Sequence, residues 1–172
     1  MSDLKIVRRS PAHSASLTIL AGLALILTGT LQLFAETASS ADLIVQAVLA
    51  TNARMNDAAN RLDTDAFFTH IVDSDESRII QDGKLFKTRA EAMIAVRQGS
   101  QRALKSERIF DEPHVTVIAP DAALLTAEGT TSVTLQDGRT FQGRFAVSLV
   151  FVLRNGEWKL FHGHYSLPNQ TP

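Results

Sequence analysis

The fold is decided by the stretch Asn155-Gly156-Glu157-Trp158-Lys159-Leu160-Phe161-His162-Gly163-His164-Tyr165-Ser166. Asn-Gly is a preferred dipeptide of two-residue β-hairpin turns, because both turn residues must adopt positive φ angles. The residues after it alternate in character, which is typical of a strand with one buried face. The sequence therefore predicts a hairpin whose second strand ends in two histidines that share a face.

Strand pairing across this turn predicts the surroundings of both histidines. With a two-residue loop, Leu149 opposes His162 and Val147 opposes His164. The histidines then lie on the most apolar face, which we expect the helices to cover and which carries Val147, Leu149, Phe151, Leu153, Trp158 and Leu160. The reverse face carries Val150, Val152, Phe161 and Tyr165. It is too apolar to face water alone, so we expect a homodimer interface formed by Phe161, Val150 and Val152.

The rest of the chain predicts an α+β protein. A capping box, Thr88-Arg89-Ala90-Glu91, opens one helix, and Asp82-Gly83 is a second hairpin signal. The expected helices span about 42–62, 65–71 and 88–104, and the expected strands span 78–81, 84–86, 107–118, 122–136, 139–154 and 157–166. Helices followed by an antiparallel meander predict a sheet with helices on one face. A polar end on that face would leave a cone-shaped pocket.

The position of Glu128 depends on the turn at Asp137-Gly138. A two-residue turn there places Glu128 beside Val147 and His164, on the histidine face. A β-bulge would instead turn Leu125 and Ala127 to that face. The sequence leaves both arrangements open.

The N-terminal segment predicts export. Residues 1–16 are basic, and residues 17–35 are apolar and uncharged. This pattern predicts that residues 1–41 form a signal peptide or an N-terminal membrane anchor, ahead of a domain at 42–172. Either outcome places the domain in the periplasm or outside the cell, with membrane contact only through residues 17–35 if they are not cleaved.

Composition excludes several classes of function. The chain has no cysteine, which excludes a disulfide framework and a thiolate metal site. Its formal net charge is −1, and no basic stripe predicts a nucleic-acid partner. The two neighbouring histidines lack a third ligand at fixed spacing, so we expect no metal, and no motif indicates a cofactor.

These motifs together resemble the nuclear transport factor 2-like superfamily, and in particular its SnoaL-like bacterial members. The resemblance covers about residues 42–167 and rests on Asp82-Gly83-Lys84, Gly143-Arg144-Phe145 and the run 155–164. It implies a curved antiparallel sheet wrapped on three N-terminal helices, a conical pocket and a homodimer. Steroid isomerases of this fold place a carboxylate near Ile80 and a tyrosine near Met55; neither is present, so that activity is not expected.

Three functions remain as hypotheses. The first is an exported, homodimeric domain that binds a small apolar or amphipathic molecule through His162, His164, Trp158 and Glu128. The second is a SnoaL-like acid–base enzyme of isomerase, cyclase or hydrolase type, with His164, His162 and Glu128 as catalytic candidates. The third is an association module with a vestigial pocket. Proximity of Glu128 to His164 around a cavity would favour the enzyme.

Overall fold

The computed structural model describes residues 39–167 of the chain. In this range the helices and strands follow one another as α1 (Ser40–Asn60), α2 (Thr64–Thr69), β1 (Arg78–Gln81), β2 (Lys84–Phe86), α3 (Arg89–Arg102), β3 (Ala103–Ala119), β4 (Ala122–Leu135), β5 (Thr140–Arg154) and β6 (Glu157–Ser166). The predicted order of elements is confirmed, and the largest difference in bounds is the earlier start of β3. The apolar segment 17–35 lies outside the described residues.

Side-chain caps determine where the helices begin. The Ser39 hydroxyl accepts a hydrogen bond from the Asp42 N–H at 3.2 Å, and the Asp42 carboxylate accepts one from the Ser39 N–H at 3.1 Å. The Thr88 hydroxyl accepts one from the Glu91 N–H at 3.1 Å, so the predicted start of α3 is confirmed. Such caps satisfy N–H groups that have no partner within the helix. None of the helices within residues 39–167 is long and apolar enough to cross a membrane.

The strands form a mostly antiparallel, curved sheet in the order β2-β1-β6-β5-β4-β3, in which only β1 and β6 are parallel. We call the face covered by the helices the inner face and the reverse the outer face. Register shifts within β3 and β6 add the local bends that curve a sheet. The predicted α+β architecture, a curved sheet around three N-terminal helices, is confirmed.

The core lies between the inner face and the helices. Leu125, Leu149, Phe151 and Leu160 of the central strands are all 0% exposed, and they belong to the same apolar cluster as buried residues of α1, α2 and α3. Burial of this kind supplies the main stabilising free energy of a domain without disulfides. The apolar side of the predicted β5–β6 hairpin therefore faces the helices, as expected.

The pairing of β5 with β6 changes partway along the hairpin. Both residues of the Asn-Gly turn have positive φ, and close to the turn Phe151 pairs with Leu160 as predicted. Val150, however, pairs with His162, so Phe161 is an extra residue in a β-bulge.

Beyond this bulge every residue of β6 faces the side opposite to the prediction. Ser148 pairs with His164, and Val147 pairs with Tyr165. The predicted pairs of Leu149 with His162 and of Val147 with His164 are therefore wrong. Both histidines lie on the outer face, and Tyr165 lies on the inner face, because a one-residue shift exchanges the two faces of a strand.

The turn between β4 and β5 also differs from the prediction. Gly138 has a φ of 85° whereas Asp137 does not have a positive φ, and the N–H of Leu135 donates to the carbonyl of Arg139 at 2.8 Å. The loop therefore contains three residues, a common arrangement with glycine in the left-handed region. As a result Glu128 pairs with Ala146 instead of Val147. Of the two arrangements that the sequence leaves open, the one with Leu125 inside is correct, and Glu128 does not reach the inner face as the candidate site requires.

Candidate functional site

A cavity of about 780 Å³ separates the helices from one end of the inner face. α2 and α3, with the end of α1, form one wall, and parts of all six strands form the other. Most of the lining is apolar, as illustrated by Phe67, Ile79, Phe86, Val96, Val133 and Phe145. On α3 the small residues Ala92, Ala95 and Gly99 face this space and leave it unfilled. Its volume falls within the range of small-molecule pockets in proteins.

A few polar side chains converge on the cavity from the strands. Arg108 of β3 pairs with Thr131 of β4, and both line the cavity together with Ser106, Gln81 and Tyr165. Arg108 and Tyr165 are half-buried. A mainly apolar cavity with a few placed polar groups can orient a ligand as well as enclose it.

The backbone N–H and carbonyl of Arg108 both form hydrogen bonds, and its side chain contacts two aromatic rings. Its N–H donates to the Asn60 amide oxygen at 2.8 Å, and its carbonyl accepts from Asn56 at 3.0 Å and from Asn60 at 3.2 Å. Its guanidinium carbon lies 5.9 Å from the ring centre of Phe145 and 5.7 Å from that of Tyr165. These distances are within the range of cation–π interactions.

Tyr165 lies two residues beyond Gly163, on the same face of β6. A Cβ on Gly163 would lie 3.1 Å from the Tyr165 ring and 3.3 Å from Ile79, so the ring packs tightly against this glycine. Burial raises the pKa of the Tyr165 hydroxyl above its usual 10.0, and the charge of Arg108 offsets part of that rise. The hydroxyl is therefore neutral near pH 7 and can donate a hydrogen bond.

The site residues predicted from sequence do not line this cavity. His162 is half-buried and His164 exposed, both on the outer face. Glu128 is also on the outer face, where its carboxylate bonds Arg144 at 2.8 Å, and Arg144 bonds Asp111 at 3.0 Å. Arg144 therefore lies on the outer face as well. Trp158 packs against the core rather than lining the cavity.

The cavity offers few groups for proton transfer. No histidine lines it among the described residues, and its carboxylates are those of Asp63 and Asp82. Both are exposed: Asp63 caps α2 through the Ala66 N–H, and Asp82 occupies the β1–β2 turn. Within residues 39–167 no group of three or more His, Asp or Glu side chains could hold a metal ion.

The sequence profile of the SnoaL-like domain family matches residues 48–170. The chain belongs to the SnoaL-like domain family. The resemblance to the nuclear transport factor 2-like superfamily is thereby confirmed. No curated protein matches this SnoaL-like chain significantly in sequence.

Solved structures share the fold of this SnoaL-like domain. A nuclear transport factor 2-like superfamily protein from Salmonella enterica serovar Typhimurium is 20% identical, with a TM-score of 0.65 over 74% of this chain and 92% of that chain. A proposed scytalone dehydratase from Novosphingobium aromaticivorans is 7% identical, with a TM-score of 0.70 over 75% and 87%. A hexachlorocyclohexane dehydrochlorinase is 10% identical, with a TM-score of 0.66 over 77% and 90%. At these identities the likeness establishes the fold alone.

Sequence reasoning missed the two polar residues that distinguish the cavity of this SnoaL-like domain. Arg108 belongs to no motif, and its direction depends on the register of the long strand β3. The prediction that Tyr165 lies on the outer face is wrong because of the β-bulge at Phe161. One signal was available, since a glycine inside a strand, here Gly163, often marks a bulge or a close approach.

Proposed function

We propose that this SnoaL-like domain binds a small, largely apolar molecule in its cavity and acts as a binding protein. The observation that carries the proposal is the cavity of about 780 Å³, lined by aromatic and aliphatic side chains from both layers. Transfer of apolar ligand surface from water into such a space is favourable by roughly 25 cal/mol per Å². A vestigial pocket would be filled by side chains, whereas small residues of α3 keep this one open.

A SnoaL-like acid–base enzyme is the second candidate. Two of the fold neighbours described above are named as elimination enzymes, a proposed dehydratase and a dehydrochlorinase. Such chemistry needs a base within hydrogen-bond reach of the ligand. Here the carboxylates at the cavity, Asp63 and Asp82, are exposed, and the histidines of β6 are on the outer face. These positions support binding more strongly than catalysis.

The proposal includes association of two copies through the outer face. Val150 and Phe161 are half-buried there, and Leu124 pairs with Val150 beside them. Val152 is only 8% exposed within a single chain, so it would add little to a contact. A second copy would then cover chiefly Leu124, Val150 and Phe161. Export to the periplasm or the exterior is proposed from the apolar segment 17–35 and its basic flank alone.

The binding proposal is tested with 2-naphthamide, a neutral and mainly apolar fluorescent probe. We expect saturable binding to the protein, and weaker binding, by roughly tenfold or more, to Ala95→Phe, whose new ring would occupy the cavity. Ile94→Phe is the matched control, because Ile94 is the preceding residue of α3 and is 58% exposed. Equal affinity of both folded variants and the parent protein would contradict the proposed site.

A further inference from the structure

The positive charge of Arg108 has no ionic partner among the described residues. Its side chain lines the cavity and is half-buried, and no carboxylate within residues 39–167 forms a salt bridge or a hydrogen bond with its guanidinium. By contrast, the exposed Arg144 bonds two carboxylates on the outer face. A buried charge without a partner is costly, so proteins usually pair it or use it.

The aromatic contacts stabilise this charge without using its donors. Phe145 and Tyr165 lie within 6 Å of the guanidinium carbon, which is the reach of a cation–π interaction. A guanidinium carries five N–H donors in a planar fork that matches the two oxygens of a carboxylate. Since the described residues accept none of them, the whole fork is available to a molecule in the cavity.

Two asparagines of α1 fix the backbone that carries this side chain. Asn60 both accepts from the Arg108 N–H and donates to the Arg108 carbonyl, and Asn56 donates to the same carbonyl. β3 is an edge strand, so these amides replace the hydrogen bonds of a missing neighbour strand. Fixing the base of the side chain lowers the ordering cost of a bound ligand.

The other charged side chains at the cavity interact less strongly with a bound ligand than Arg108 does. Lys84, Arg102, Asp63 and Asp82 also line it, and all four are exposed to water. Their interactions with a ligand are screened by solvent and salt, whereas a half-buried charge acts in a lower dielectric. The cavity therefore combines apolar walls with one half-buried cation.

We infer that Arg108 binds the carboxylate of the ligand, with the Tyr165 hydroxyl as a second donor, so that the ligand class is a small amphipathic organic acid. This inference rests on the proposed function, because it assigns one end of the ligand that the cavity encloses. Charge-assisted, two-point hydrogen bonds to arginine are both stronger and more directional than neutral ones. The apolar body of the acid then contacts the rings and aliphatic side chains of α2 and α3.

The test compares 2-naphthoic acid with 2-naphthamide, which have the same ring and differ in charge. At neutral pH we expect the protein to bind the acid roughly tenfold more tightly than the amide. Arg108→Met should remove this preference by weakening binding of the acid more than binding of the amide, and Arg108→Lys should retain part of it.

The outcomes separate this inference from the proposed function. Binding of neither probe would overturn both. Equal binding of acid and amide by the unaltered protein would overturn the carboxylate assignment and leave the apolar site intact. This comparison needs no substitution, so it holds even where Arg108→Met fails to fold. An acid preference that persists in folded Arg108→Met would show that another group binds the carboxylate.

Discussion

Val150 of β5 pairs with His162 of β6, although the adjacent Phe151 pairs with Leu160. Phe161 is an extra residue between Leu160 and His162. Every later residue of β6 therefore lies on the face opposite to the one that a regular pairing would give. Tyr165 consequently lines the cavity, and the histidines do not. The bulge thus decides which side chains can meet a ligand.

The first prediction compares the contributions of two adjacent residues at the end of β6, His164 and Tyr165, to ligand binding. His164→Ala should leave the affinity for 2-naphthamide unchanged, because His164 is exposed on the outer face. Tyr165→Ala should weaken it, since it removes a ring that lines the cavity. Fluorescence titration of both variants provides the measurement. A loss of affinity in His164→Ala alone would instead place the histidine at the ligand.

The second prediction concerns Gly129 of β4. A Cβ at this position would collide with the carbonyl oxygen of Ile109 and with the ring of Phe145. Gly129→Ala should therefore destabilise the domain by about 1–3 kcal/mol, as overpacking does in a core. Urea unfolding measures the change.

A second glycine supplies the control for that experiment. Gly99 lies in α3, where a methyl group in place of its hydrogen would meet no atom of a neighbouring element within 4 Å. Gly99→Ala should stabilise the domain by about 0.5–1 kcal/mol, because alanine loses less backbone entropy in a helix. Similar destabilisation of both variants would contradict the close packing at Gly129.

The third prediction tests the proposed dimer. Phe161→Asp places a charge among the half-buried apolar residues of the outer face and should convert the dimer to monomers in sedimentation velocity. Ile94→Asp, on an exposed position of α3, should sediment as the unaltered protein does. A dimer that persists in Phe161→Asp would rule out an interface centred on this residue.

The fourth prediction is a pH dependence at His70. Burial lowers the pKa of His70 below 6.5, and the nearby charges of Arg54 and Lys159 lower it further. Below pH 6.5 the unfolded chain therefore takes up a proton that the folded state does not, so stability falls as the pH drops toward the folded pKa.

Substitution isolates this contribution from that of other groups. Between pH 7 and pH 5 the urea midpoint of His70→Gln should fall less than that of the unaltered protein. Parallel curves for the two proteins would show that His70 titrates alike in the folded and unfolded states.

Local sequence signals predicted most of the fold. The Thr88 cap, the Asp82-Gly83 and Asn155-Gly156 turns and the apolar run of β5 all act over a few residues, and each is confirmed. The predictions that the sheet is curved and that it wraps on three helices came from the family resemblance.

The candidate site could not be predicted in the same way. The site depends on strand register. Two irregularities, each of one residue, shift that register relative to the prediction: the Phe161 bulge and the three-residue loop before Arg139. Neither carries a strong local signal, because the chosen register reflects packing across the whole sheet. Arg108 was missed for the same reason, since its inward direction follows from the pairing of β3 with β4.

Crystals soaked with 6-bromo-2-naphthamide and measured at the bromine absorption edge would show whether the cavity encloses an apolar molecule. The anomalous signal locates the probe independently of any substitution. Enclosure of the probe predicts a single strong peak between α3 and the inner face, close to Val96 and Phe145, which both line the cavity. An empty cavity at saturating probe, or a peak only on the outer face beside Val150 and Phe161, would contradict it.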